Sequence, residues 1–213
     1  MRAFTVAFSN ILSSKISFYS LQSVSSNFKY VDVVTNEYPK LVYDNQMQKF
    51  LYILNCSCPL QWKKKKECLI YNYIKQFKIQ TNIIYFDLDV YMTPKTNILF
   101  ENVFQTYTFD VSYIHRGFQS NWGIINTGIV LFTNTRQTQM WLYEMYNSIM
   151  RLNKDPQIII DELLNASARK TFRFQHTAHL ETHLHSFSQT NKKNSEFSES
   201  FFTLLRRIVQ VKL

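Results

Sequence analysis

The stretch that decides the fold is Asn82–Val90, NIIYFDLDV, in which an apolar run ends in two carboxylates one residue apart. A strand that is apolar throughout is typical of an α/β sheet with helices on both faces. Because side chains alternate along a strand, we expect Asp87 and Asp89 to point the same way at the carboxyl edge of that sheet, where α/β folds bind ligands. Two ionised carboxylates there need a cation or a shared proton, and oxygen ligands suit Mg²⁺ or Mn²⁺. The alternative is a turn that only closes the strand.

Strands and helices alternate before this stretch, which is the signature of a mostly parallel sheet covered by helices. The sequence therefore predicts an α/β fold. The predicted elements are strands at 3–8, 30–35 and 83–87, and helices at about 13–26, 40–54 and 63–77.

The pattern changes after Pro94. Strands are predicted at 109–115 and 122–132, and a helix at 135–152 carries Trp141, Met145 and Ile149 on one face. Asp155-Pro156 is a good start for a further helix, because Asp caps and Pro fits the first turn.

Composition points to a folded chain of one domain: it has 213 residues, 46% of them apolar. Its three glycines form no glycine-rich phosphate loop. The net charge of +9 suits a polyanionic nucleotide as well as a nucleic acid. The dense run Lys63–Lys66 most simply begins the solvated side of a helix, since Ile70 and Ile74 follow at helical spacing, and Lys66 is the candidate for a phosphate contact.

Three cysteines, Cys56, Cys58 and Cys68, are an odd number and imply no disulfide framework. The apolar runs are too short for a membrane span, and the N-terminus is a poor signal peptide. Unpaired cysteines favour the cytoplasm, with the Golgi lumen as the alternative if the chain is incomplete.

Three elements follow one another in order: Phe86–Val90 with its D-x-D, Ile125–Gly128 with Asn-Thr-Gly, and Asp161–Asn165. This trio resembles nucleotide-diphospho-sugar transferases, which are glycosyltransferases of the GT-A fold, in particular the group with plant cell-wall xylosyl- and arabinosyltransferases. The resemblance covers roughly residues 3–168. It divides the chain into a GT-A-like domain at 1–168 and a basic, degenerate or truncated segment at 169–213.

The resemblance implies a metal-dependent enzyme that moves a sugar from a UDP- or GDP-sugar to a hydroxyl of a glycan or protein, with retained configuration. Asp87 and Asp89 would hold Mn²⁺ or Mg²⁺, with a late histidine as a third ligand; His179 and His176 are the candidates. It implies Asp161 and Asn126 as catalytic residues at the transferred sugar. The substrate-binding residues are Asn126, Thr127, Gly128 and Asp161, with Lys66 as the candidate for the phosphates. The usual Asp-Gln of the family is Asp161-Glu162 here.

Three alternatives remain open. In a haloacid-dehalogenase-like phosphatase, Asp87 would be the nucleophile and Asp89 the acid/base, although Val90-Tyr91 replaces the usual Gly-Thr. A catalytically inactive binding homologue would follow from a degenerate C-terminal segment. A basic module could bind an acidic polymer, although no nucleic-acid partner is expected.

Overall fold

The computed structural model describes residues 1–8, 15–36, 51–54, 57–58, 61–76, 81–115, 125–167, 174–176 and 184–186. Its strands are β1 (Arg2–Val6), β2 (Val31–Thr35), β3 (Leu51–Ile53), β4 (Ile83–Phe86), β5 (Val90–Met92), β6 (Val111–His115), β7 (Ile125–Phe132), β8 (Phe174–His176) and β9 (Leu184–Ser186). Its helices are α1 (Lys15–Ser25), α2 (Trp62–Gln76), α3 (Thr96–Thr106), α4 (Arg136–Arg151) and α5 (Pro156–Ser167).

The described strands form a mixed sheet of seven in the order β3-β2-β1-β4-β7-β6-β8, and β5 pairs with β9 in a small second sheet. Strands β3, β2, β1 and β4 run parallel, so their carboxyl ends lie at one edge. Strand β7 runs antiparallel to β4, which brings the beginning of β7 to that same edge. The expected α/β fold with a mostly parallel sheet is confirmed.

Apolar side chains cover both faces of the sheet, as the uninterrupted apolar run of β4 predicts. Helices α2, α4 and α5 pack on one face, and α1 and α3 on the other. Strand β4 supplies Ile83 and Tyr85 to the first core and Ile84 and Phe86 to the second. This alternation places β4 at the centre of the molecule, with its carboxyl end leading into the D-x-D.

Helix α4 begins where the sequence predicted. The side chain of Thr135 accepts a hydrogen bond from the Thr138 N–H at 3.1 Å, which caps the helix. The predicted face of Trp141, Met145 and Ile149 is fully buried. Helix α5 starts at Pro156, also as predicted, and the Asp155 carbonyl accepts the Ile159 N–H.

Three expectations about the elements are wrong or incomplete. Residues 51–53, expected at the end of a helix over 40–54, form strand β3 beside β2. Residues 40–50 lie outside the described residues. Helix α3 was not foreseen. Residues 87–89, over which strand alternation was expected to align the two carboxylates, form a turn after β4.

The cysteines also differ from expectation, because Cys58 and Cys68 form a disulfide with their Cα atoms 6.0 Å apart. This bond ties the chain ahead of α2 to that helix. Since two of the three cysteines are paired, the cysteines give no support to a cytoplasmic location.

The C-terminal segment contributes two of the described strands. Strand β8 pairs with β6, and β9 pairs with β5. In the described part of the chain, no helix is both long enough and apolar enough to cross a bilayer.

Candidate functional site

The D-x-D forms a tight turn between β4 and β5. The Val90 N–H donates to the Asp87 carbonyl at 3.0 Å, which closes the turn. Leu88 is buried and anchors the turn in the core, while Asp87 and Asp89 are both partly exposed. The strand alternation that was expected to align the two carboxylates therefore does not apply, but the turn still holds both at the carboxyl edge of the sheet.

The Asn-Thr-Gly segment lies directly beside this turn. The Asp87 N–H donates to the Gly128 carbonyl at 2.7 Å, extending the β4–β7 ladder by one bond beyond the Phe86–Ile129 pair. On its other side, β7 changes register with β6: Tyr113 pairs with Val130, but Ile114 pairs with Asn126. Residues 127–129 thus fall in a gap of the β6 ladder, an irregularity that is common next to active sites.

Lys66 reaches the D-x-D from helix α2. Its Nζ donates to Asp87 Oδ1 at 2.7 Å, and the hydroxyl of Tyr85 donates to the same oxygen. Nζ also lies 5.1 Å from the centroid of the Tyr85 ring. The Lys66 side chain is only 18% exposed, compared with 48% for Lys63. The interpretation of a solvated charge run is therefore wrong for Lys66, although it holds for Lys63.

Electrostatics keep Lys66 charged and Tyr85 neutral. Burial lowers the pKa of Lys66, but the carboxylates of Asp87, Glu67 and Asp89 together raise this pKa above its ordinary value. The pKa of Tyr85 is raised well above its ordinary value, first by burial and then by the Asp87 charge. Asp87 Oδ1 consequently accepts from an ammonium and from a phenol that keeps its proton.

A third acidic group, Glu67, is buried near the turn. It lines a small cavity with Tyr85, Tyr113, Thr127 and Ile160 of α5. The pKa of Glu67 is raised to about 7, mainly by burial. The charge of Lys66 lowers this pKa, and the charges of Asp87 and Asp155 raise it further. Sequence reasoning missed Glu67, since it follows the lysine run and no short motif marks it.

We expect Glu67 to make stability depend on pH. Its ordinary pKa is 4.5 and its folded pKa is about 7, so between these values the folded chain binds more protons than the unfolded chain. The free energy of unfolding should therefore fall as pH rises through this window, by up to about 3 kcal/mol, and level off above it. Glu67→Gln should remove this loss and make the protein more stable than wild type at pH 8.

Urea unfolding at pH 5, 6, 7 and 8 measures this effect. Glu101→Gln, at an exposed position of α3, serves as the control and should keep the wild-type pH profile. Equal pH slopes for Glu67→Gln and wild type would contradict the assignment of the titration to Glu67.

The remaining candidates are only partly located. Asp161 lies in α5 directly after Ile160, and α5 packs against α2 and β7. Its side chain and that of Asn126 lie outside the described residues, as does the whole of His179. Among the late histidines, the β5–β9 register places His185 opposite Tyr91, two positions after Asp89. The sequence offered no basis for preferring His185.

The donor types suit the expected metal. Asp87 and Asp89 are hard oxygen ligands of the kind that Mg²⁺ and Mn²⁺ prefer. Among the described residues, however, no three or more His, Cys, Asp or Glu side chains are grouped closely enough to hold an ion. A divalent ion on Asp87 Oδ1 would also meet the Lys66 ammonium on the same oxygen.

The sequence matches no known family model and no curated protein. Among solved structures, the chain is similar to a glycosyltransferase involved in the glycosylation of the major capsid of PBCV-1, with TM-score 0.53, 11% identity, and coverage of 82% of this chain and 81% of that one. The chain has the GT-A fold. It is equally similar to apo GlyE, a glycosyltransferase of Streptococcus pneumoniae, with TM-score 0.53 and 14% identity over 82% of this chain.

That match spans only 45% of the GlyE chain. A 4-diphosphocytidyl-2C-methyl-D-erythritol synthase from Anaerococcus prevotii also matches, with TM-score 0.50, 13% identity, and coverage of 82% of this chain and 86% of that one. The GT-A fold therefore hosts sugar transfer and at least one other nucleotide-dependent chemistry. The expected resemblance is confirmed at the level of the fold, and the choice between chemistries depends on the site.

Proposed function

We propose that this chain is a glycosyltransferase that moves a sugar from a nucleoside diphosphate to a hydroxyl acceptor. One observation carries the proposal: in a GT-A fold, the D-x-D turn and the Asn-Thr-Gly segment adjoin through the Asp87–Gly128 hydrogen bond, with a lysine at their side. Two carboxylates, backbone groups and an ammonium at the carboxyl edge of a sheet suit a metal-bound diphosphate.

Each group has a proposed role. Asp87 and Asp89 would hold Mn²⁺ or Mg²⁺, and His179, which lies outside the described residues, remains the proposed third ligand. When bound, the ion would neutralise the charge that develops on the leaving diphosphate. Lys66 lies at the same turn and is the proposed contact for the phosphates. Thr127 and Gly128, with Asn126 before them, shape the pocket for the sugar.

The reaction exchanges one bond at the anomeric carbon for another. The bond to the diphosphate oxygen breaks, the acceptor oxygen forms the new bond, and the proton of the acceptor hydroxyl passes to the released nucleoside diphosphate. Asp161 and Asn126 are the groups we assign to the transferred sugar, and we propose that its configuration is retained. The acceptor is a hydroxyl of a glycan or a protein.

Calorimetric titration of UDP and GDP into the protein, in Mn²⁺ and in EDTA, tests the proposal. We expect micromolar binding of one nucleotide in Mn²⁺ and at least about tenfold weaker binding in EDTA, since a bound ion would add its positive charge to the diphosphate site. Incubation with the matching nucleotide sugars should then release nucleoside diphosphate. Release of pyrophosphate from a nucleoside triphosphate, UTP or GTP, and a sugar phosphate would instead indicate nucleotidyl transfer.

Binding without turnover would identify an inactive homologue, and no binding in either condition would contradict the proposal.

The phosphatase alternative is less well supported by the site. A nucleophilic Asp87 would have to attack through Oδ2, because its Oδ1 accepts hydrogen bonds from both Lys66 and Tyr85, and Val90-Tyr91 stands where such phosphatases have Gly-Thr.

A further inference from the structure

Asp87 Oδ1 is already paired with a cationic side chain. The Lys66 ammonium lies 2.7 Å away in a part-buried ion pair, and the Tyr85 hydroxyl donates to the same oxygen. A carboxylate oxygen offers about two lone-pair directions, and these two donors use both. A metal ligand would normally contact its ion from this kind of oxygen at about 2.0–2.1 Å.

We propose that Lys66 is a built-in counter-ion of Asp87, with which a divalent ion competes for this carboxylate and which it must displace if it binds through Oδ1. The inference rests on the proposed function, because it concerns the metal expected at the D-x-D. The ammonium and the divalent ion carry charges of the same sign and compete for one carboxylate. Without metal, the ammonium compensates the Asp87 carboxylate, which is only 32% exposed.

In the proposed reaction, the donor diphosphate would bind the displaced ammonium. Lys66 has a flexible four-carbon side chain, and the donor diphosphate would be the nearest new anion. Metal and nucleotide should then bind cooperatively, because the nucleotide stabilises the ammonium that the metal releases. By linkage, each ligand raises the affinity for the other by the same factor.

Mn²⁺ binding to the metal-free chain, without nucleotide, tests the competition. The free Mn²⁺ signal in electron paramagnetic resonance gives the dissociation constant directly. Lys66→Met removes the competing charge, and we expect Mn²⁺ to bind about tenfold more tightly than to wild type. Lys66→Gln removes the charge but keeps a neutral donor, and we expect a gain in the same direction.

Lys75→Met is the matched control. Lys75 lies nine residues further along α2, near the ring of Tyr71, and its loss changes the net charge by the same amount. Mn²⁺ affinity within about twofold of wild type is expected for this variant. Circular dichroism and urea unfolding check that each variant is folded, and Lys66→Gln carries the test if Lys66→Met is not.

The inference would be overturned if the folded Lys66 variants bound Mn²⁺ no more tightly than Lys75→Met. It would also be overturned if no variant bound Mn²⁺. Nucleotide titration separates this result from the proposed function. Tighter Mn²⁺ binding in Lys66→Met with no UDP or GDP binding to wild type supports the counter-ion and refutes the donor site. Nucleotide binding to wild type, with Mn²⁺ affinity unchanged in the Lys66 variants, supports the donor site and refutes the counter-ion.

Discussion

Replacing Asp89 by asparagine should lower the rate of sugar transfer at least about a hundredfold, a loss of about 2.7 kcal/mol in transition-state stabilisation. The amide keeps the size of the side chain but removes the negative charge that would hold a divalent ion. Without that ion, charge on the leaving diphosphate develops uncompensated. Initial rates of nucleoside diphosphate release, measured at saturating Mn²⁺ with wild type and Asp89→Asn, give the ratio.

Glu101→Gln provides the control for this variant, since it removes one carboxylate from an exposed position of α3 and should leave the rate unchanged. Unfolding curves of Asp89→Asn should match those of wild type, because Asp89 is partly exposed in a turn that Leu88 anchors. A folded Asp89→Asn protein with more than about a third of the wild-type rate would remove the D-x-D from the mechanism.

The first half of the fold was accessible from sequence because its signals are local. The apolar β4 and the alternation of β1, α1 and β2 predict a parallel sheet without any distant contact. Helix α3 lacks such signals. It begins after Lys95 in a left-handed conformation with φ of 71°, and no side chain caps it, so no start motif marks it.

Strand β3 was assigned to a helix for a different reason. Leu51–Ile53 is a three-residue apolar run, and periodicity cannot distinguish a strand from a helix over that length. Its partner β2, which fixes it as a strand, lies elsewhere in the sequence. The Cys58–Cys68 bond was likewise hidden, because an odd number of cysteines does not reveal which pair meets.

The same distinction between local and distant signals explains which site residues could be predicted from the sequence. The D-x-D and the Asn-Thr-Gly segment were identified as short motifs, and the antiparallel pairing of β4 with β7 brings them together. Lys66 was named as a candidate phosphate contact, but its most direct interpretation was a solvated lysine in a run of charges, and Glu67 beside it was missed. Which face of α2 meets the sheet is decided by the packing of its apolar side chains, and that packing directs Lys66, rather than Lys63, to Asp87.

The core beneath the site should be sensitive to loss of Trp141. This side chain is 2% exposed, and its ring meets Tyr113 edge to face at 5.9 Å. Trp141→Ala should lower the free energy of unfolding by about 3–5 kcal/mol, because it removes a large apolar surface and leaves a cavity. Urea denaturation followed by circular dichroism measures the change.

Met140→Ala is the matched control, because Met140 is the preceding residue of α4 but is 51% exposed, and its truncation should change stability by at most about 0.5 kcal/mol. Trp141→Phe refines the argument. In the described part of the chain, the buried indole N–H has no hydrogen-bond partner, so phenylalanine removes an unsatisfied donor together with some packing. Its loss should therefore be clearly smaller than that of Trp141→Ala; equal losses would show that apolar packing does not dominate at this position.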